Sequence, residues 1–214
     1  MLLLIVVIVA VFVAAVAVGG IIDRGYRREL RAWAAARGWD YREEGGGDWA
    51  AFLPRGHRRQ GVKIQMAGTC LGRPMTLADY WYQVRSNGRS KATRTCHLTV
   101  VVVHLAASYP AVVLHARTLG SVSLGIARAV GLSPANLTGV PEFDSRFRVE
   151  AGPDGGSGLV TEQVIRATLQ AGLPPWQLRG RDLIIPWPGS PNMPDLDRKL
   201  GQAAALAGQL GPLS

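Results

Sequence analysis

The sequence predicts an α+β fold, in which an N-terminal transmembrane helix precedes a globular domain with helices packed on an antiparallel sheet. Three observations carry this. Residues 2–22, LLLIVVIVAVFVAAVAVGGII, hold no charged or polar side chain and run directly into DRGYRRELR with its four arginines. Between residues 62 and 119, short runs rich in β-branched and aromatic residues alternate with turn signals, the mark of strands. On either side of that region, apolar residues recur at three- and four-residue spacing, the mark of helices.

At about 1.5 Å per residue the apolar run makes a helix roughly 31 Å long, close to the roughly 30 Å hydrocarbon core of a bilayer. A cleaved signal peptide has a basic start and an apolar core of about 7 to 15 residues. Here only the α-amino group precedes a longer run, and the basic flank of Arg24, Arg27, Arg28 and Arg31 follows it. The AVA motif at 15–17 resembles a peptidase site, but cleavage there requires export of the C-terminal side against the charge bias. Because positive loops stay in the cytoplasm, the expected product is a single-pass cell-membrane protein with a cytoplasmic C-terminal domain. The expected division is residues 1–22 as transmembrane helix, 23–59 as basic juxtamembrane helix and connector, and 60–214 as the α+β domain.

Residues 26–37 read as a short helix, with Leu30, Trp33 and Ala34 on one face and Gly38 as its stop. Residues 44–61, EGGGDWAAFLPRGHRRQG, read as a connector. A four-strand antiparallel meander follows, with turns at 68–74, 86–90 and 108–110. In its second strand Leu77, Asp79, Trp81 and Gln83 alternate with Ala78, Tyr80, Tyr82 and Val84. The third is apolar on both faces from Val100 to Val103, which predicts a central strand covered on each side. Residues 121–130 read as a helix ended by Gly131, 143–149 as a strand, and 161–171 as a helix presenting Val164, Ile165, Thr168 and Leu169. Residues 176–187 read as a tight hairpin turning at Gly180. A final helix over 195–210 presents Leu196, Leu200, Ala203, Ala204 and Ala207.

The net charge of +9 is local rather than uniform. Residues 23–59 contribute +3, residues 60–131 contribute +7 with Asp79 their single acid, and residues 132–214 contribute −1. The candidate anion-binding set is therefore Arg24, Arg27, Arg28 and Arg31 on the juxtamembrane helix, Arg58 and Arg59 in the connector, and Arg85, Arg89, Lys91 and Arg94 around Asn87-Gly88. Nucleic-acid modules add aromatic stacking platforms or a groove-reading helix, and neither accompanies this loop, which disfavours nucleic acid.

Other chemistry finds little purchase. A turn at 108–110 separates His104 from His115, and the seven-residue offset of His97 and His104 puts them on opposite faces of an unbroken strand. No G-x-S-x-G elbow and no C-x-x-C is present, and GPDGGSG at 152–158 lacks the Lys-Ser/Thr of a phosphate loop. No catalytic residue, metal ligand or cofactor is assigned. Cys70 and Cys96 are compatible with one bridge in an exported domain or with two thiols in a reducing compartment.

The order of landmarks is also informative. The apolar span, WAAARGW at 33–39, the connector ending near 55–59, DYWY at 79–82, EFDSRFRV at 142–149 and WQLRGRDL at 176–183 together resemble a group of uncharacterised membrane-anchored proteins, chiefly from actinomycetes. Each of these has a single N-terminal span and a domain of unknown function. The resemblance implies the fold and the membrane location, and no activity, cofactor or site residue. The expected function is a membrane-tethered, non-catalytic module whose partners are the bilayer and a protein at the inner membrane surface. The alternatives are an anion-binding module for lipid headgroups or nucleic acid, and an enzyme of unidentified reaction.

Overall fold

The computed structural model of the chain describes residues 22–85, 92–117, 138–152 and 155–210, together with the backbone of 133–134. The predicted span, apart from Ile22, and the predicted helix over 121–130 lie outside the described residues. Among the described residues no helix is long and apolar enough to cross a membrane.

Helix α1 covers residues 22–36. Its buried stripe is Leu30, Trp33 and Ala34, and it ends where Gly38 takes φ +68 while Trp39 N–H returns to the Ala34 carbonyl at 2.9 Å. Trp39 then packs edge-on against Trp33, with ring centroids 5.4 Å apart. Strand β1 (Asp40–Glu43) follows, then a single 3₁₀ turn (Asp48–Phe52) that buries Trp49, so the connector is partly structured.

Strands β2 (Gln60–Cys70) and β3 (Arg73–Arg85) form a hairpin closed by the two residues Leu71 and Gly72, and β4 (Thr93–Ala116) pairs with β3. The remaining elements are β5 (Ser133–Pro134), helix α2 (Pro141–Arg146), β6 (Phe147–Ala151), helix α3 (Glu162–Gln170), β7 (Gln177–Pro188) and helix α4 (Met193–Gln209). The seven described strands form one antiparallel sheet in the order β1-β2-β3-β4-β6-β5, with β7 on the other edge of β4.

Two predicted turns are absent, and for one reason. β4 runs 24 residues through 108–110, and β7 runs through Gly180. Tyr109 and Gly180 are register partners, and the pairing shifts on both sides of Tyr109. The Ser-Tyr-Pro and Arg-Gly-Arg signals therefore serve one shared irregularity in a paired ladder, where Gly180 takes φ +56. The bend lets one strand hold β3 along its first half and β6 along its second.

The segment 143–149, predicted as one strand, divides between helix and strand. Its first part is helical, because Pro141 opens a turn with Glu142 and Asp144 in it, and Phe143 and Phe147 bury together with centroids 5.2 Å apart. Only from Phe147 does the chain extend into β6.

The core has two parts. The larger lies between the sheet and helices α1, α3 and α4, and includes Leu30, Ile64, Leu77, Val101, Val103, Ile165, Leu196 and Leu200. The smaller lies on the other face, where Val100, Val102, Tyr80 and Ile184 meet Trp49 and Leu53. The central, doubly covered position expected for residues 100–103 is thus observed, with all four valines fully buried. Helix α3 starts as predicted at Thr161, whose hydroxyl accepts from Val164 N–H, and Gly172 follows it at φ +57. In α4 the predicted stripe of Leu196, Leu200, Ala203, Ala204 and Ala207 is buried.

Candidate functional site

The hairpin end of the sheet assembles part of the predicted basic set. Residues 54–59 strap across β3. The Pro54 carbonyl accepts the Tyr80 hydroxyl at 2.8 Å, His57 N–H donates to the Gln83 carbonyl at 2.7 Å, and Gln83 N–H donates to the Arg59 carbonyl at 3.0 Å. Gly56 N–H bonds to Gln60 Oε1 at 2.6 Å. A side chain at Gly56 would meet the Arg59 carbonyl at 2.2 Å, so the strap requires glycine there. This fixes Arg58 and Arg59 beside Gln83. Arg85 and Arg94 stand at the neighbouring rungs, where Val84 pairs with Arg94 and Arg85 with Thr93. All four arginines are exposed, and among the described residues none has a carboxylate partner. Arg89 and Lys91 lie outside the described residues.

The α1 arginines behave differently. Arg27 is bonded to Asp23 at 2.8 Å and to Glu43 at 2.6 Å, and Arg31 to Glu43 at 3.0 Å while stacking over Tyr41. Lys63 also bonds Asp23, and Lys63 and Arg27 together hold the Asp23 carboxyl below its ordinary range. Arg24 and Arg28 are exposed. The α1 arginines thus divide into a neutralised pair and a solvated pair.

Beneath α1 lies a network that sequence reasoning missed. Asp79, 0% exposed, accepts from the Tyr26 hydroxyl at 3.0 Å and lies 3.2 Å from His97 Nδ1. Burial, reinforced by the Asp79 charge, pushes the Tyr26 hydroxyl far up, so it stays protonated and donates. One signal was available: an acid set alone within a strongly apolar strand must find partners.

The opposite face of the sheet is more polar than its strand patterns suggest. Thr76 Oγ1 lies 2.9 Å from His104 Nε2, whose Nδ1 lies 2.8 Å from Asp182. This is the connectivity of a hydroxyl–imidazole–carboxylate relay. Yet Thr76 is only 4% exposed, in mid-strand between the β2 and β4 ladders, so its backbone neighbours are committed to pairing and offer no oxyanion donors. Further along, Glu150 is held by His115 at 3.1 Å and Arg148 at 2.9 Å. Arg179 stacks on Phe52 at 5.1 Å, and burial lowers its pKa. His97 and His104 do occupy opposite faces, and His104 and His115 serve different carboxylates. Among the described residues no group of three or more His, Cys, Asp or Glu side chains could hold a metal ion. Cys70 and Cys96 are both free.

No protein-family model matches the chain, and no curated protein matches its sequence. Among solved structures, the fold is similar to that of the mycobacterial trehalose monomycolate transport factor A, TtfA. The TM-score is 0.60 at 16% sequence identity, over 89% of this chain and 99% of that one. At that identity the likeness establishes a shared fold.

Proposed function

We propose that the chain is a membrane-tethered, non-catalytic module that acts through protein contacts at the inner membrane surface, as an accessory of a transport assembly. The observation that carries this reading is the likeness to TtfA, which spans nearly all of both chains and comes from a protein described as a transport factor. Two further features support it. The apolar run of residues 2–22 is long enough to span a bilayer, and the arginines that follow it favour a cytoplasmic domain.

Leu71 is a natural first point for seeking the partner. It is 75% exposed at the tip of the β2–β3 hairpin and takes φ +49, a conformation that asparagine or glycine adopts at lower cost. An apolar side chain kept at a strained, exposed tip suits a surface that something else covers. The test is a photo-crosslinking amino acid at position 71 of the full chain, expressed in its own cells. The expected result is one discrete adduct with an integral membrane protein. Absence of any adduct at 71 and at a panel of other exposed positions sinks the reading.

A further inference from the structure

We infer that the strap-and-hairpin end of the sheet is a second membrane contact, in which Arg58, Arg59, Arg85 and Arg94 bind the anionic headgroups of the bilayer that holds the tether. The inference rests on the tethering reading above and adds a lipid class and an orientation to it.

The first ground is the contrast among arginines. Arg27, Arg31, Arg37, Arg42, Arg148, Arg166 and Arg198 each pair with a carboxylate, and among the described residues Arg24, Arg28, Arg55, Arg73, Arg117, Arg146, Arg179 and Arg181 do not. What sets the hairpin end apart is how many unpaired arginines it gathers, Arg55 of the strap included. The four at the hairpin end have no such partner among the described residues, and they stand on neighbouring rungs: Arg59 accepts from Gln83 N–H, Arg85 lies two residues further along β3, and Arg94 pairs with Val84 on the sheet face opposite to that of Arg85. Exposed cations gathered at one end of a sheet without carboxylates raise the positive potential there and favour an external anion. The placement of Arg58 and Arg59 is built in, because the strap is pinned to β3 by two backbone hydrogen bonds and a glycine that admits no side chain.

The second ground is the direction of α1. Its C-terminal end lies by the β2–β3 turn, where Trp39 packs against Gly68 and Arg37 pairs with Asp197. Its N-terminal end lies further along the sheet, where Asp23 meets Lys63 and Tyr26 meets Asp79. Passing from Arg37 to Asp23 therefore moves toward the strap and hairpin. The apolar run immediately precedes that end, so the tether and the unpaired arginines approach the bilayer from the same side of the domain. Nucleic acid lacks this geometric argument, because nothing in the fold directs a strand to this end.

A basic residue near an anionic leaflet multiplies the bound population by roughly fivefold, and the tether makes docking intramolecular, so a few arginines suffice. Phosphatidylglycerol is the probe. The full chain is inserted into nanodiscs of phosphatidylcholine alone or mixed with phosphatidylglycerol, and amide hydrogen exchange is followed at 57–60 and 92–95. The inference predicts exchange at least about fivefold slower in the anionic discs. It also predicts that this protection is lost at high salt and in the R58E/R59E/R94E variant, while the amides of Val100, Val101, Val102 and Val103 stay protected in every sample. If the triple variant does not fold, R58Q/R59Q replaces it, with partial loss expected. Equal exchange in neutral and anionic discs overturns the inference, as does protection by a single-stranded oligonucleotide but not by phosphatidylglycerol. The discs contain no other protein, so these outcomes leave the partner reading untouched. Failure of the chain to co-elute with discs of either kind would overturn the tethering reading itself.

Discussion

Tyr26 on α1 donates its hydroxyl to Asp79, fully buried in the middle of β3, at 3.0 Å. This bond joins the helix that follows the apolar run to the centre of the sheet. Tyr26→Phe leaves one oxygen of a buried carboxylate without its donor, and His97 alone remains. The expected cost is about 1–3 kcal/mol in urea unfolding. His97→Gln added to Tyr26→Phe should cost a further increment that is not the sum of the two single changes, because both donors serve one carboxylate.

Trp39 lies across Gly68, and a β-carbon built at 68 would come within 2.4 Å of the indole. Gly68→Ala forces the ring aside and should destabilise by about 1–3 kcal/mol. Trp39→Ala removes the obstacle. The double-mutant cycle should show the cost of Gly68→Ala largely abolished in that background.

At the β2–β3 turn the backbone is left-handed at both Leu71 and Gly72, with φ +49 and +74, the two-residue pattern that favours Asn-Gly. Leu71→Asn should therefore stabilise the fold by about 1 kcal/mol, seen as a raised denaturation midpoint with unchanged slope. Under the partner reading, the same change should weaken association in cells.

Asp144 carries a pH signature. Burial pushes its carboxyl up, but bonds from the Thr138 amide and hydroxyl and the Gly139 amide outweigh it, so the folded value lies below the ordinary 3.8. A depressed carboxyl stabilises the fold above its unfolded pKa, and that contribution fades as pH falls from about 3.8 through the folded value. Asp144→Asn should therefore be less stable than the parent at neutral pH. The difference should shrink in acid, as measured by urea midpoints across a pH series.

Much of the architecture was readable where local signals and burial agree. α3 has a threonine cap, an apolar stripe and a terminal glycine, and α4 has a stripe of Leu196, Leu200 and Ala203, so periodicity sufficed. Val100, Val101, Val102 and Val103 announced a central strand because only a doubly covered strand is apolar on both faces. The turn signals at 108–110 and at Gly180 misled because the same residues that close hairpins also relieve strain in bulged ladders. Only the long-range pairing of Tyr109 with Gly180 distinguishes the two uses. The basic residues of the hairpin end were named from composition. That Arg58 and Arg59 join Arg85 and Arg94 depends on the backbone bonds to Gln83, which no local pattern encodes. The links of Asp79 to Tyr26 and of His104 to Asp182 span 53 and 78 residues, and they were likewise beyond local reasoning.

The central claim, a domain held by its N-terminal run at the inner face of the membrane, is tested most directly by a reporter fused after Ser214 of the full chain in growing cells. The account predicts that a reporter active only in the cytoplasm works there and sediments with the membranes, and that one active only outside the membrane stays silent. Activity of the outside-only reporter, or recovery of the fusion in the soluble fraction, would contradict it.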